Sequence, residues 1–183
     1  MNLKETYQKE VIPKLIKKFG YKNILQVPKL AKVVLNVGVG KGIKEANYLE
    51  TVESTLARIT GQRPIKTKAK KSISNFKIRQ GMVIGMKVTL RGQRMYDFVN
   101  KLIKVTLPRV RDFRGLSLKA LDKDGNLNIG IKEHIAFPEI KADEIERLHG
   151  LEVAVITNAR TKKEGEALLK ALGFPFKEEE AKK

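Results

Sequence analysis

Apolar residues recur along this chain of 183 residues with two different periods, and this double periodicity most restricts how it can fold. Alternation with polar or small residues, typical of β-strands, occurs over 33–39, 86–90 and 151–155. Spacing of three or four residues, typical of helices, occurs over 2–19, 47–60, 93–105 and 161–172. Because short strands and helices are interspersed, we predict an α+β fold: a single domain with a mainly antiparallel sheet, helices packed on one face and a long basic loop.

Turn-forming and capping residues predict where the helices begin and end. Pro13 is expected to interrupt the first helix, and Gly61 to end the second. The third helix is expected to end before Pro108, because the residue before a proline disfavours helical geometry. Thr161 followed by Glu164 is a capping box at the start of the last helix.

The remaining segments are short and irregular. Residues 65–68 are predicted to form a short strand, and 69–85 a long loop of the kind that usually carries a function. Two apolar stretches, 116–121 and 127–131, flank the turn 122–126 (DKDGN) and predict a β-hairpin.

The chain contains no internal repeat and no Ser/Gly-rich linker. We therefore predict one domain over 1–176, followed by a frayed charged tail over 177–183. No apolar run approaches the roughly 18 residues that cross a bilayer, and the first residues lack the apolar core of a secretory signal. The expected location is the cytoplasm.

Positive charge is concentrated in the first part of the chain, which has a formal net charge of +18 overall. Residues 1–111 hold 25 Lys+Arg and 6 Asp+Glu, whereas residues 112–183 hold 13 and 14. The window 54–96 contains 11 basic residues and no acidic one. Self-repulsion on this scale destabilises a small folded chain unless an anion neutralises it, so we predict a polyanionic partner.

Three explanations compete for this basic window. A solvated surface normally mixes both signs of charge, and a membrane-binding helix needs an unbroken amphipathic pattern. The window is instead interrupted by Gly61, Pro64, Gly81, Gly85 and Gly92. Nucleic acid is the favoured partner, and a folded RNA fits better than B-form DNA because no recognition helix stands out.

The inventory of reactive side chains argues against an enzyme. The chain has no cysteine and only two histidines, His134 and His149, without the spacing of a zinc site. The glycines of 38–42 (GVGKG) match neither the Walker nor the dinucleotide spacing, and are interpreted as a turn. Glu133 beside His134 lacks a nucleophile or metal partner, and His149 with Gly150 suggests a surface turn. We predict no catalytic residue, no metal, no cofactor and no small-molecule substrate.

Cations and polar side chains on the predicted strands are the candidate RNA contacts. The set consists of Lys66, Lys68, Lys87, Thr89 and Arg91, with Asn36 and Gln62. Lys and Arg bind phosphates, while Asn, Gln and Thr hydrogen-bond to base edges and ribose hydroxyls. Asn36 and Thr89 could equally be ordinary polar strand positions. Phe76 could stack on a base or anchor the loop to the body of the protein.

Seven motifs, in order along the chain, resemble the family of large ribosomal subunit protein five, which binds 5S rRNA. They are 33–40 (VVLNVGVG), 60–64 (TGQRP), 67–73 (TKAKKSI), 87–92 (KVTLRG), 107–116 (LPRVRDFRGL), 130–133 (GIKE) and 137–140 (FPEI). The resemblance runs from the first helix to about Phe176, and the form of 107–116 is similar to the bacterial type. It implies a non-catalytic protein of the central protuberance that attaches 5S rRNA and also contacts 23S rRNA.

Site residues follow from the resemblance by position. The implied rRNA contacts are Asn36, Gly38, Gln62, Lys66, Thr67, Lys68, Thr89 and Arg91. The implied contacts to tRNA in the peptidyl site are Lys70, Lys71, Ser72, Lys77 and Arg79. The implied bridge to small-subunit protein thirteen consists of Arg109, Arg111, Asp112, Phe113, Arg114, Phe137, Pro138 and Glu139, with other central-protuberance proteins nearby. The alternative function is an RNA chaperone or ribosome-maturation factor that binds structured RNA transiently. Two features depart from the pattern of the family: Gly165 inside the last helix, and the short acidic-then-basic tail.

Overall fold

The computed structural model describes residues 2–40, 45–141 and 148–177 of the chain. Five strands are present in this part: β1 (Leu30–Gly38), β2 (Ile65–Lys68), β3 (Val83–Leu90), β4 (Leu127–Ile131) and β5 (Leu151–Thr157). They form one sheet in the order β2-β3-β1-β5-β4, and β2 pairs with β3 in antiparallel fashion. With the helices that accompany it, this sheet confirms the predicted α+β fold class.

Two of the helices contain π-helical segments. Helix α1 runs through Leu3–Thr6, the π-helical Tyr7–Val11 and Ile12–Phe19, and α2 spans Ala46–Thr60. Helix α3 runs through Gly92–Lys101, the π-helical Leu102–Thr106 and Leu107–Arg109, and α4 spans Lys162–Ala171. Short 3-10 turns occur at Ile24–Gln26, Leu118–Ala120 and His134–Ala136.

The π-helical segments explain how two prolines fit inside helices. The prediction that the third helix ends before Pro108 is wrong, since α3 continues to Arg109. A proline ring clashes with the carbonyl four residues earlier. Just before each proline, the N–H groups of Ile12 and Leu107 donate to carbonyls five residues back, which widens the turn where the ring must fit.

The chain divides into two compact units. Unit 1 consists of Met1–Val33, Leu90–Ile129 and Ala154–Lys183, and unit 2 of Val34–Thr89 and Gly130–Val153. Unit 1 buries an aliphatic core that includes Val11, Leu15, Val99, Leu102, Leu107, Leu168 and Leu169. The core of unit 2 includes Leu35, Val37, Val52, Leu56, Ile59, Met86, Val88 and Val153. The predicted domain boundaries stay a prediction, and most of the predicted tail, 178–183, lies outside the described residues.

The predicted hairpin around the turn 122–126 is only partly correct. The turn is present, and the Asp122 carboxylate accepts hydrogen bonds from the backbone N–H groups of Asp124 (3.0 Å) and Asn126 (2.7 Å). The first predicted strand, 116–121, is wrong: this stretch contains a 3-10 turn and isolated bridges, of which Leu121 with Leu127 is one. Its apolar side chains therefore fill the core of unit 1 without a paired ladder.

The capping box of α4 is confirmed. The side chain of Thr161 accepts a hydrogen bond from the N–H of Glu164 (3.3 Å), and the Glu164 carboxylate accepts one from the N–H of Arg160 (2.8 Å). Gly165 lies in the first turn of α4 against Gly125, and a Cβ atom on Gly165 would collide with the backbone of Gly125. This close approach explains why a glycine, a poor helix former, occupies that position.

Candidate nucleic-acid interface

Within unit 2, the strands of the sheet have one covered face and one open face. In β1 the side chains of Leu35 and Val37 are buried and Asn36 is exposed, because successive side chains point to opposite faces. Lys87 is likewise exposed between the buried Met86 and Val88. The same alternation, with the pairing of Ile65 with Lys87 and of Thr67 with Gly85, defines the open face as Asn36, Gly38, Ile65, Thr67, Gly85, Lys87, Thr89 and Glu152.

Glycines keep the open face flat. A Cβ atom on Gly85 would lie 2.8 Å from the hydroxyl of Thr67 and 3.0 Å from the carbonyl of Val37. A Cβ atom on Gly38 would meet no heavy atom within 4 Å. The backbone is therefore bare at Gly38, where a partner can approach the strand closely, whereas Gly85 is buried against Thr67 and the backbone of β1.

The end of α2 holds Gln62 beside the open face. Gly61 ends the helix in the left-handed conformation at φ 66°, which only glycine adopts without strain. The hydroxyl of Thr60 then accepts a hydrogen bond from the N–H of Gln62 (3.3 Å). The Gln62 amide donates to the carbonyl of Thr89 (3.4 Å), which holds it at the end of β3.

The structure brings five of the eight predicted rRNA contacts together in unit 2: Asn36, Gly38, Gln62, Thr67 and Thr89. Lys87 lies among them, although the set implied by the resemblance omitted it. Period-two alternation over 86–90 was the signal that places Lys87 on the open face. Glu152 was missed because alternation alone does not single out one exposed residue of a strand.

Lys66 points away from the open face. It pairs with the buried Met86, and its ammonium lies 3.0 Å from the carboxylate of Glu53 on α2. Arg63 binds the other oxygen of the same carboxylate at 3.0 Å. Hydrogen bonds from Lys66 and then from Arg63 hold the pKa of Glu53 below its usual range. This ion-pair cluster partly neutralises two of the cations.

The other two predicted contacts are solvent-exposed. Lys68 follows a shift in the β2–β3 register between Thr67 and Lys68, and Arg91 immediately precedes α3 in unit 1. Neither side chain has a hydrogen bond or an ion pair within the described ranges. Both charges are therefore available to a partner.

The predicted loop 69–85 is shorter than expected, because Val83, Ile84 and Gly85 belong to β3. The base of the loop is closed by hydrogen bonds from Ala69 N to Met82 O (2.8 Å) and from Gly81 N to Ala69 O (3.0 Å). Gly85 is predicted to lie in the loop because glycine usually marks a turn or a loop, but it lies within β3.

The tip of the loop is a small basic hairpin. Ile73 and Ile78 exchange backbone hydrogen bonds of 2.9 and 3.1 Å, and Lys77 turns the chain with φ 54°. The predicted tRNA contacts are all exposed, Lys77 on this hairpin and the others on the loop beside it: Lys70, Lys71, Ser72 and Arg79. Phe76 is 71% exposed, so it does not anchor the loop to the body of the protein.

The predicted bridge residues belong to both units. Arg109, Arg111, Asp112 and Arg114 are exposed in unit 1, with Phe113 half-buried. In unit 2, Phe137 is fully buried, Pro138 is exposed, and Glu139 is half-buried with its carbonyl accepting a hydrogen bond from Arg58 (2.9 Å). Phe137 thus serves the core and holds the turn that presents Pro138.

The two histidines form a buried stacked pair in unit 2. Their ring centroids lie 4.0 Å apart at an interplanar angle of 8°, and the N–H of His149 donates to Nδ1 of His134 (3.2 Å). The interpretation of His149 as a surface turn is wrong, because it is 5% exposed. Burial, and then the neighbouring His134, lower the pKa of His149 to about 4. Burial also lowers the pKa of His134.

Within the residues that the structure describes, no three His, Asp or Glu side chains lie where they could hold a metal ion. In the same residues, no helix has the length and apolar character needed to span a membrane.

A flat, polar, cation-bearing sheet face beside an exposed basic hairpin defines a class of protein: an α+β module that binds a folded polyanion. Comparison with known families identifies the family within this class. Residues 23–79 match the family model described as Ribosomal protein L5, and residues 83–176 match the model for the C-terminus of the same ribosomal protein family.

Full-length relatives agree with this match. Large ribosomal subunit protein uL5 of Desulforapulum autotrophicum is 57% identical over 96% of this chain and 98% of the relative. The uL5 proteins of Fervidobacterium nodosum (55% identical, 97% of this chain and 96% of the relative) and Thermotoga maritima (53%, 96% and 95%) are similar. The chain belongs to the L5 family of large-subunit ribosomal proteins, which confirms the resemblance. This family consists of structural ribosomal proteins, so the prediction of a non-enzyme is confirmed.

Proposed function

We propose that this chain is an rRNA-binding structural component of the large ribosomal subunit in the cytoplasm, and that its open face attaches 5S rRNA, together with 23S rRNA, in the central protuberance. The observation that carries the proposal is that Asn36, Thr67, Thr89 and the cation Lys87 share the open face, with Gln62 held at the end of β3. Family membership supports the same assignment.

The chemistry of the open face suits an RNA helix or a structured RNA loop. The minor groove of A-form RNA is wide and shallow and displays 2′-hydroxyls, which amide and hydroxyl side chains recognise. Bare backbone at Gly38 allows the groove edge to approach the strands. Lys87, Lys68 and Arg91 displace counterions from phosphates, which supplies affinity without sequence selectivity.

The basic hairpin of the 69–82 loop serves a separate partner in this proposal. Its cations are exposed and its apolar residues are few, so it extends charge toward a second polyanion, the tRNA in the peptidyl site. The exposed Phe76 offers a stacking surface for a base or ribose. The segment 109–114 and the turn 137–140 are assigned to the bridge with small-subunit protein thirteen, near other central-protuberance proteins.

Filter binding of the full chain to isolated 5S rRNA tests the proposal. Affinity should fall steeply between about 50 and 200 mM salt, because several phosphate contacts release counterions. Thr89→Ala should weaken binding by about 1–3 kcal/mol, since a polar contact is lost. The matched control is Thr51→Ala on α2, whose hydroxyl donates to the carbonyl of Asn47 within the same helix. Salt-independent binding, or equal affinity of both variants, would contradict the proposal.

A transient chaperone or maturation factor is the competing function. High-salt sucrose gradients separate the two, because a structural component stays with the large subunit at one copy per particle. Release from the particle at a salt concentration that retains the other large-subunit proteins would favour the transient factor.

A further inference from the structure

Glu152 is the one acidic residue in the five described strands, whose other residues are neutral or basic. It is exposed between the buried Leu151 and Val153, and therefore lies on the open face. Within the described part of the chain, its carboxylate has no hydrogen bond and no ion pair. On the proposed rRNA-binding surface, a lone carboxylate repels phosphates unless a hydrogen-bond donor or a cation of the partner binds it.

The surroundings of Glu152 form an open groove of about 510 Å³ in unit 2. Strand β5 lies between β1 and β4, so Gly38 and Gly130 line the groove on either side of Glu152. A Cβ atom on either glycine would meet nothing within 4 Å, which leaves bare backbone as the groove floor. Asn36 and Lys132 complete the polar lining. The groove therefore has room for a flat ring beside the carboxylate.

The chemistry of a carboxylate restricts what can bind there. An ionised carboxylate only accepts hydrogen bonds, and its two oxygens lie side by side. A phosphate offers no donor. Among the nucleobases, guanine presents two neighbouring donors on one edge, N1–H and the N2 amino group, and unpaired bases are read on this Watson–Crick edge in RNA recognition. Lys132, which also lines the groove, carries a cation that suits a phosphate.

We propose that this groove is a guanine subsite, in which an unpaired guanine donates from N1–H and N2 to the carboxylate of Glu152 while its ring lies over the bare backbone at Gly38 or Gly130. Glu152 is then a specificity-determining residue. The inference rests on the proposed binding of 5S rRNA by the open face and adds the position and the class of base that are read there.

The direction in which a charge-removing substitution changes the affinity for 5S rRNA distinguishes a contact with guanine from simple repulsion of phosphates. If Glu152 only repels phosphates, Glu152→Gln should tighten binding to 5S rRNA. If Glu152 accepts from guanine, the same substitution places an NH2 group against a donor and should weaken binding about tenfold. The matched control is Glu50→Gln, which removes the same charge from an exposed position on α2 and should leave affinity unchanged or slightly higher.

Kethoxal modifies N1 and N2 of unpaired guanine. Modification of 5S rRNA in complex with the full chain therefore tests the contact directly. The wild-type chain and Glu50→Gln should protect one reactive guanine that Glu152→Gln leaves modified. Equal or tighter binding by Glu152→Gln, or an unchanged kethoxal pattern, overturns the guanine subsite. If wild type binds and Thr89→Ala weakens binding, the proposed function survives that result. If wild type does not bind 5S rRNA, both proposals fall.

Discussion

The stacked histidines should make the folded chain less stable in mild acid. The folded-state pKa of His149 is about 4, against 6.5 for an ordinary histidine. Between these values the unfolded chain takes up a proton that the folded chain excludes, so the free energy of unfolding falls as the pH falls. The stability contribution is fully present above pH 6.5 and decreases as the pH drops toward 4.

The size of the effect follows from the same two values. Each pH unit within the window costs about 1.4 kcal/mol, so lowering the pH from 7 to 5 should remove about 2 kcal/mol of unfolding free energy. Because the pKa of His134 is also lowered by burial, it adds to the loss in the same direction. A loss of that size is a large fraction of the stability of a small protein.

Urea unfolding followed by circular dichroism at pH 7 and pH 5 measures this loss. His149→Gln removes the titrating group, so the variant should start less stable but lose less between the two pH values. NMR titration of the ring protons gives the pKa values independently. An unchanged free energy of unfolding between pH 7 and 5, or an equal loss in His149→Gln, would refute the reasoning.

Three further predictions concern other parts of the molecule. Gly165→Ala should lower the free energy of unfolding in urea by about 1–3 kcal/mol, because the new methyl group meets Gly125, and this outweighs the better helix propensity of alanine. The control is Lys163→Ala at an exposed position of the same helix, which should change the free energy of unfolding little. Lys87→Gln should weaken 5S rRNA binding and reduce the slope of log affinity against log salt concentration by about one. Lys66→Gln should have a smaller effect, because the charge of Lys66 is already paired with Glu53. Equal effects would argue against the open face as the binding surface. The loop cations to be replaced with Gln are Lys70, Lys71, Lys77 and Arg79. Their replacement should leave 5S rRNA binding unchanged and reduce crosslinking to tRNA on assembled ribosomes. Loss of 5S rRNA binding would contradict the separation of the two surfaces.

Much of the fold could be predicted because apolar periodicity reports directly which side of an element is buried. The alternation over 86–90 located β3 and placed Lys87 on the opposite side from Met86. The stripe over 47–60 and the glycine that follows it predicted α2 to within one residue. Local hydrogen-bonding chemistry was equally informative, as with Thr161 and Glu164 at the start of α4.

The failures have physical causes in longer-range contacts. Strand β2 has four residues and no buried side chain, so the sequence could not show that Lys66 faces away from the open surface toward Glu53. His134 and His149 lie fifteen residues apart, and only tertiary structure brings their rings into contact. The collision that keeps position 165 a glycine is likewise invisible without the turn at Gly125.

The π-helical segment of α1 also helps to keep the buried side chains of the helix on one side. Leu3, Tyr7, Val11 and Leu15 are spaced by four residues and are all buried. In a pure α-helix each such step rotates the side chain by about 40°, so three steps would carry Leu15 about a third of a turn away from Leu3. A turn that holds more residues cancels part of this drift. The wide turn before Pro13, which looks like an interruption in the sequence, thus helps to keep one side of the helix facing the core.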